Sequence, residues 1–279
     1  MLLLALDTST RQASVALCSE ERLYGEHTWQ AGNNHSVEML EHVQRLLAEG
    51  GVSMSALDGL AVAIGPGSFN GVRVAVATAK TLAFALGKPL VGISTLEIAA
   101  AQHAQWPGLV CSLLEAGRSE LYAGCFLFEP LISVGGFVSG GSRQLGEYRV
   151  LTPRELVSYL QMEIAPLLEA AGVAKTTPLL CGEISEASRL ELAKGLRGGG
   201  MFVPAISSVR RASTLASLAW LRVEEQRLDD PLTLEPLYVR RPNITTSTRK
   251  QPLLGTQSTA AGPQNDQIST ERDEGALRH

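Results

Sequence analysis

The sequence predicts an α/β fold, and three features indicate it. Its 279 residues are 45% hydrophobic and 19% charged, which is the composition of an ordinary soluble globular protein. Short apolar runs of strand length alternate with longer segments of helical periodicity. The alternation occurs twice, so we expect one α/β domain over residues 1–104 and a second over residues 105–242.

The chain opens with a predicted β-hairpin. Leu2–Leu6 is an apolar run of strand length, and the polar group Asp7–Thr10 ends it. A second apolar run, Ala13–Leu17, follows at once. Two such runs around a short polar turn are typical of a hairpin, so Asp7, Thr8 and Ser9 are expected at its turn.

A helix is predicted over His35–Glu49. Asn33 and Asn34 precede it as cap residues, and Gly50–Gly51 follows as its end. Its apolar residues recur at the spacing of one helical face. They are Met39, Leu40, Val43, Leu46 and Leu47. This stripe is wide enough to pack on the domain and on a neighbour together.

A glycine-rich loop, GPGSFNGVR, spans Gly65–Arg73. The apolar strand LDGLAVAIG leads into it, and an alanine-rich helix over Val72–Leu86 follows, with the strand PLVGIS beyond. This helix is apolar on nearly all sides, and Gly87 ends it with Pro89 close behind. Because a helix on a sheet buries only one stripe, a partner is expected to cover the remaining apolar face.

The second domain is predicted from a similar series. GLVCSLLEA and ELYAGCFLF form a strand pair with a bend at AGRS. Thr152 opens a helix over Pro153–Gln161, with proline at the first helical position. The strand TPLLCGE and a helix over Ala212–Arg227 follow. Residues 243–279 are polar and contain no Phe, Trp or Tyr, so this tail is predicted to be disordered.

The glycine-rich loop matches neither common phosphate-binding motif. A Walker A loop ends in Gly-Lys-Ser/Thr, and Asn70-Gly71-Val72 stands there instead. A dinucleotide fingerprint needs GxGxxG after the first strand, whereas this loop has Gly65-x-Gly67-x-x-x-Gly71 after a later one. Two interpretations remain open. The N–H groups of the following helix bind an anion, or the glycines serve only the backbone geometry of a turn.

The histidines and cysteines predict no metal site and no nucleophile. His35 and His42 share a helix face, but two turns put them roughly 10 Å apart, too far for one ion. The four cysteines form no CxxC pair and indicate reduced thiols. Asp7, beside Thr8 and Ser9, either orients a phosphate-bound metal or stabilises the turn. No catalytic residue is predicted.

Charge and hydropathy limit the partners and the compartment. The net charge of −4 provides no electrostatic footprint for nucleic acid. The opening MLLLAL is too short for a signal sequence, and no run approaches the length of a membrane span. We therefore expect a cytoplasmic protein that does not bind membranes.

Four segments, in order, resemble the TsaB (YeaZ) family. They are LLALDTST…ASVAL, NNHSVEML, GPGSFNGVRVAVATAKTLAFALGKPLVGISTLE and LEPLYVRRP. The resemblance runs from Met1 to about Pro242. It implies an actin/Hsp70/sugar-kinase (ASKHA) fold, which has two related α/β lobes with ribonuclease H-like motifs. In relatives with intact sites the first hairpin meets nucleotide phosphates. The resemblance thus allows weak ATP or ADP contact at Asp7, Thr8, Ser9, Gly65, Gly67 and Ser68.

The same resemblance implies a helper subunit rather than a catalyst. Such proteins pair with the paralogous TsaD and with the ATPase TsaE to build N6-threonylcarbamoyladenosine beside the anticodon of certain tRNAs. TsaD carries a metal-binding HxxxH motif, which this sequence does not contain. We expect a heterodimer with a TsaD-type protein, a homodimer of the isolated chain, tRNA contact mainly through the complex, and no required cofactor. The expected interface residues are His35, Met39, Val43, Leu46, Val76, Ala79, Lys80 and Ala83.

The sequence departs from the family pattern in two places. Asn70 stands where the family usually has Thr. In the segment Glu115–Tyr122, Gly117 replaces an Arg and Ser119 replaces a Gly. Any role of that first Arg is therefore in doubt. Arg118, Glu120 and Tyr122 are retained.

Two enzymatic alternatives belong to the same fold. A metal-dependent glycopeptidase needs a metal or nucleophile constellation, and no motif for one is visible. A small-molecule kinase needs a catalytic carboxylate in the cleft, for which Asp7 is the only candidate.

Overall fold

The computed structural model describes residues 1–32, 35–128, 132–134, 137–139, 142–173 and 177–240. In chain order its strands are β1 Leu2–Asp7, β2 Gln12–Ser19, β3 Leu23–Gln30, β4 Gly59–Ala63, β5 Leu90–Ile93, β6 Val110–Gly117, β7 Glu120–Phe128, β8 Ile132–Val134, β9 Phe137–Ser139, β10 Ser142–Leu151, β11 Leu179–Glu183 and β12 Met201–Phe202. Its α-helices are α1 His35–Gly50, α2 Phe69–Leu86, α3 Thr95–Ala101, α4 Pro153–Tyr159, α5 Ala165–Ala170, α6 Glu186–Gly195 and α7 Ala212–Glu224. The predicted caps Asn33 and Asn34 and the tail 243–279 lie outside the described residues.

Two five-stranded sheets have the same topology. The first has the order β3-β2-β1-β4-β5, and the second has the order β10-β7-β6-β11-β12. In each sheet the central strand, β1 or β6, pairs antiparallel with the strand that follows it and parallel with the fourth strand, β4 or β11. The two small strands β8 and β9 pair separately. The repeated order is that of ribonuclease H-like motifs, which confirms the predicted ASKHA fold of two related lobes.

The first sheet is buried on both faces because its central strands, β1 and β4, are apolar at every position except Asp7. Alternate side chains of β1, such as Leu4 and Leu6, pack with helices α1 and α2. The intervening side chains, such as Leu3 and Ala5, pack with α7 on the opposite face. The sequence predicts α7 as part of the second domain. In the structure α7 packs on the first sheet and therefore belongs to the first lobe.

The second sheet is also covered on both faces. Helices α4 and α6 contribute Leu156 and Leu192 to the core on its outer face. Helix α3 covers the other face through Leu96 and Ala100. Because α3 contacts α7, these two helices lie together between the sheets. The lobes therefore share an apolar junction built from α3 and α7.

Most predicted elements are present, with shifted ends. The first hairpin is the β1–β2 pair, and α1 extends through Gly50, one residue beyond the predicted end. Helix α2 begins at Phe69 rather than Val72, with Ser68 as its N-cap, and it ends at Gly87 in the left-handed conformation, as predicted. Helix α4 ends at Tyr159 and continues as a π-helical turn over Leu160–Ile164.

Four further elements carry too weak a pattern for prediction. Strand β3 lies at a sheet edge and is only half buried, so its polar and apolar residues do not alternate cleanly. Helix α6 is largely polar, α3 is only seven residues long, and β10 is mostly exposed. Within the described ranges no helix has the length and apolar character needed to cross a bilayer.

Candidate functional site

The glycine-rich loop is fastened to the turn of the first hairpin. The Ser68 amide donates a hydrogen bond to the Ser9 carbonyl at 2.6 Å, and Thr8 Oγ1 donates to the Gly71 carbonyl at 2.7 Å. A Cβ atom at Gly67 would collide with the Ser9 carbonyl oxygen, and one at Gly71 would collide with that of Thr8. Close backbone approach therefore requires glycine at both positions.

The N-terminus of α2 is partly satisfied by the chain itself. The Ser68 hydroxyl accepts from the Gly71 amide at 3.4 Å, and the Ser68 amide donates to the Ser9 carbonyl at 2.6 Å. These bonds use two of the four amides that a helix leaves free at its start. These contacts support the second interpretation of the loop, in which the glycines serve backbone geometry. The loop joins α2 to the first hairpin.

Asp7 is fully occupied by protein partners. Its Oδ1 accepts from the Ser9 amide at 2.8 Å and from Ser9 Oγ at 2.5 Å. Its Oδ2 accepts from Arg210 Nε at 2.9 Å. Asp7, Thr8 and Ser9 are all at most 1% exposed. The turn that was predicted to contact a phosphate is thus buried.

Arg210 connects the two lobes. Besides Asp7, its guanidinium forms an ion pair with Glu183 at the end of β11, in the second sheet. Its Nη2 donates to Thr10 Oγ1 and to the Gln12 carbonyl, both at 3.0 Å and both in the first lobe. Glu183 also accepts from Thr10 Oγ1 at 2.8 Å. Every donor nitrogen of the guanidinium therefore has an acceptor.

Electrostatics keep Arg210 charged in this buried position. Burial acts to lower the pKa of Arg210, but the neighbouring carboxylates of Asp7 and Glu183 outweigh it, and the pKa is raised. A charge removed from water is tolerated only when it is paired and hydrogen-bonded, as it is here. Neither Arg210 nor Glu183 was identified from the sequence, because no spacing relates them to residue 7.

Two of the histidines, His27 and His42, form a small cluster on the first lobe. His42 Nδ1 lies 3.3 Å from His27 Nδ1, and the His42 ring stacks on Trp29 at 4.0 Å. His27 Nε2 lies 3.0 Å from a carboxylate oxygen of Glu49. Burial, together with the charges of His27 and Arg45, lowers the pKa of His42. Among the described residues no three His, Cys, Asp or Glu side chains are grouped to hold a metal ion.

The four cysteines are free and buried. Burial raises the pKa of Cys18 to about 12, with a smaller contribution from Glu26. Burial likewise raises the pKa of Cys181. A thiol is nucleophilic only as its thiolate. These two buried thiols are therefore protonated and unreactive at neutral pH.

The departures in segment Glu115–Tyr122 fall at the β6–β7 hairpin. Gly117, Arg118 and Ser119 all have positive φ, at 74°, 56° and 58°. Glycine at the first of these positions suits that backbone better than arginine does. Next to the hairpin, Glu120 pairs with Arg240.

The predicted interface residues require a correction. Met39, Val43, Leu46, Val76, Ala79 and Ala83 are at most 3% exposed and belong to the core of the first lobe. Lys80 is half-buried and donates to the carbonyls of Leu232 and Leu234, at 3.3 and 2.8 Å. The segment around Leu234 thus covers part of the α2 surface that was assigned to a partner. Of His35, only the backbone at the start of α1 is described.

Two ribonuclease H-like lobes, joined across their cleft by the Arg210 ion pairs, define a protein of the ASKHA class. A family model described as TsaD, tRNA N6-adenosine threonylcarbamoyltransferase, matches residues 21–128. YeaZ from Pseudomonas aeruginosa superposes with a TM-score of 0.63 at 28% identity, over 85% of this chain and 100% of that one.

Two sequence relatives narrow the class to a family. The chain is 30% identical over 245 residues to tRNA threonylcarbamoyladenosine biosynthesis protein TsaB of Haemophilus influenzae, which covers 85% of this chain and 93% of the relative. It is 36% identical over 129 residues to the Bacillus subtilis protein of the same name, over 46% of this chain and 56% of that relative. The alignment thus spans little more than half the length of the Bacillus protein. The chain belongs to the TsaB family.

Proposed function

We propose that this chain acts in the biosynthesis of N6-threonylcarbamoyladenosine in tRNA, as a non-catalytic subunit that binds a TsaD-type transferase. A TsaE-type ATPase completes the complex, which works in the cytoplasm. The TsaB names of its relatives and the match to the TsaD model support this assignment. The tRNA is held mainly by the complex, in keeping with the net charge of −4.

The ion pair between Arg210 and Asp7 is the observation that supports a non-catalytic role. A kinase of this fold needs a free carboxylate in the cleft, and Asp7 was the only candidate. Both of its oxygens have protein partners, and the Arg210 that pairs with it also pairs with Glu183 of the second lobe. Any ATP or ADP contact at Asp7, Thr8, Ser9, Gly65, Gly67 and Ser68 is therefore weak, and this chain requires no cofactor for its role.

The exposed faces of α1 and α2 are the partner surface that we propose. Val37 and Leu40 on α1 are 56% and 43% exposed, and Phe69 and Phe84 on α2 are 44% and 71% exposed. Large apolar side chains open to solvent on neighbouring helices are typical of a protein interface. The same faces support self-association when the partner is missing.

Reconstitution tests the proposal. The purified chain, supplied with threonylcarbamoyl-AMP and unmodified tRNA, is expected to yield no modified adenosine. Addition of the TsaD-type and TsaE-type proteins of the same cell is expected to restore the product, and omission of this chain to abolish it. Product from this chain alone, in material proven free of the TsaD-type protein, would assign catalysis to it. Calorimetric titration with ATP separates the scaffold from a kinase, which binds ATP tightly.

A further inference from the structure

A groove of about 630 Å³ runs along α7 on the side of the first sheet opposite α1 and α2. One wall is α7, through Ser213, Thr214, Ser217, Leu218 and Leu221. The other wall is the segment Ala101–Trp106 that follows α3. Phe128 and Leu179, at strand ends of the second sheet, complete the lining. Its volume lies within the range of small-molecule sites.

The wall formed by Ala101–Trp106 is held in place by hydrogen bonds. Its backbone closes successive turns, with the His103 amide donating to the Ala100 carbonyl at 2.9 Å and the Trp106 amide donating to the His103 carbonyl at 2.9 Å. The Gln102 side chain accepts from the Arg211 amide at 2.8 Å, which ties the segment to the start of α7. The two walls are therefore held at a fixed separation.

Two ring nitrogens in this wall have no partner among the described residues. They are Trp106 Nε1 and His103 Nε2, and both are buried. Burial also lowers the pKa of His103, so its ring is neutral at pH 7. Buried polar atoms in proteins are nearly always hydrogen-bonded. Both residues line the groove, so a ligand bound there is a candidate partner for either nitrogen.

Among the described residues, the lining contains no Asp, Glu, Lys or Arg, although 19% of the chain is charged. A charged ligand would lose its hydration there without gaining a counter-ion, so an uncharged ligand is favoured. The two sides of the groove differ in character. Trp106 and Phe128 pack on one apolar cluster and offer aromatic surface, whereas Ser213, Thr214 and Ser217 offer hydroxyl groups.

We propose that this groove binds a neutral molecule of nucleoside type, which combines a flat heterocycle with a sugar rich in hydroxyl groups. The heterocycle lies on the Trp106–Phe128 side, and one of its ring acceptors accepts a hydrogen bond from the Trp106 indole N–H. The sugar hydroxyls face Ser213, Thr214 and Ser217 on α7. The site lies apart from the cleft closed by Arg210 and from the proposed partner helices, so its test is independent of the subunit role.

Adenosine and AMP are suitable probes, because they differ only in the phosphate. Titrations of the full chain are followed by the indole N–H signals in nitrogen-15 NMR spectra. A Trp106→Phe variant assigns the signal of Trp106, and the indole of Trp29, which donates to Glu38 at 3.2 Å, serves as an internal reference. We expect adenosine to shift the Trp106 signal saturably, to leave Trp29 unmoved, and to bind at least tenfold more tightly than AMP.

Two matched variants locate the site. Ser217→Glu places a charge in the groove and is expected to weaken adenosine binding at least tenfold. Ser158→Glu on α4 is the control, since both serines are exposed on a helix and donate to the carbonyl four residues earlier, at 3.0 and 3.4 Å. The proposal is overturned if adenosine at millimolar concentration gives no saturable shift. It is equally overturned if AMP binds as well, or if Ser217→Glu binds adenosine like Ser158→Glu.

Discussion

Arg210 donates from Nε to Oδ2 of Asp7 at 2.9 Å, across 203 residues of sequence, and both side chains are 1% exposed. The same guanidinium pairs with Glu183 at the end of the second sheet. One side chain therefore links the strand ends of the two lobes at the cleft. It also pairs with Asp7, the only carboxylate that the sequence offers for a kinase reaction.

Removal of this guanidinium is expected to destabilise the chain strongly. Arg210→Met leaves Asp7 buried with no counter-charge, and loss of one partner of a buried pair costs about 3–5 kcal/mol. The free energy of unfolding in urea measures the loss. Arg154→Met is the matched control, because Arg154 is 89% exposed and pairs with Glu191 at the surface. Exposed pairs contribute about 0–1 kcal/mol. Equal small losses in the two variants would contradict a structural role of Arg210.

The free energy of unfolding is expected to fall as the pH drops below about 6.5, because His42 and His103 are more easily protonated in the unfolded chain. Burial lowers the pKa of both in the fold, and for His42 the charges of His27 and Arg45 add to burial, while Glu38 and Glu41 oppose it. Because the pKa is lower in the folded chain than in the unfolded chain, the stabilisation is complete at a pH above the unfolded-state pKa. It is lost as the pH falls through the folded-state pKa.

Urea unfolding at pH 7.5 and pH 5.5 measures this dependence. His42→Gln and His103→Gln are each expected to reduce the difference in unfolding free energy between the two pH values. A difference that persists unchanged in the double variant would assign the pH dependence to other groups.

Helix α2 and Arg210 show which features of the fold and site the sequence predicts and which it does not. The stop of α2 at Gly87 follows from local chemistry, since a left-handed residue after a helix is usually glycine. The contact of Gly67 and Gly71 with the first hairpin is non-local, so it was visible in the sequence only as a run of glycines. The pairing of Arg210 with Asp7 left no sequence pattern, because tertiary structure alone brings them together. The direction in which Ala79 and Ala83 face was likewise undetermined in a helix apolar on nearly all sides.

Gly71→Ala is expected to destabilise the chain although it lies in helix α2. In an ordinary helix interior, alanine is favoured over glycine by about 1 kcal/mol. Here the added methyl group meets the Thr8 carbonyl oxygen, and such overpacking costs about 1–3 kcal/mol. Thermal or urea unfolding measures the change. Asn70→Ala, at the exposed neighbouring position, is expected to change stability by no more than about 0.5 kcal/mol. A stabilised Gly71→Ala variant would show that the loop does not press on the hairpin.

Association is expected to depend on Phe84 rather than on the neighbouring Ala83. Phe84 is 71% exposed on α2, so Phe84→Glu leaves the fold intact and puts an unpaired charge into the proposed interface. Ala83, at 1% exposed, faces the core, so Ala83→Glu is expected to unfold the first lobe instead.

Light scattering and capture by the TsaD-type protein report association, and circular dichroism reports folding. Met162→Glu is the control, because Met162 is 76% exposed in the second lobe and away from α1 and α2. We expect Phe84→Glu to lose both self-association and capture at least tenfold, and Met162→Glu to retain both. The interface lies elsewhere if a well-folded Phe84→Glu variant associates as the unmodified chain does, because a charge buried without a partner cannot leave binding unchanged.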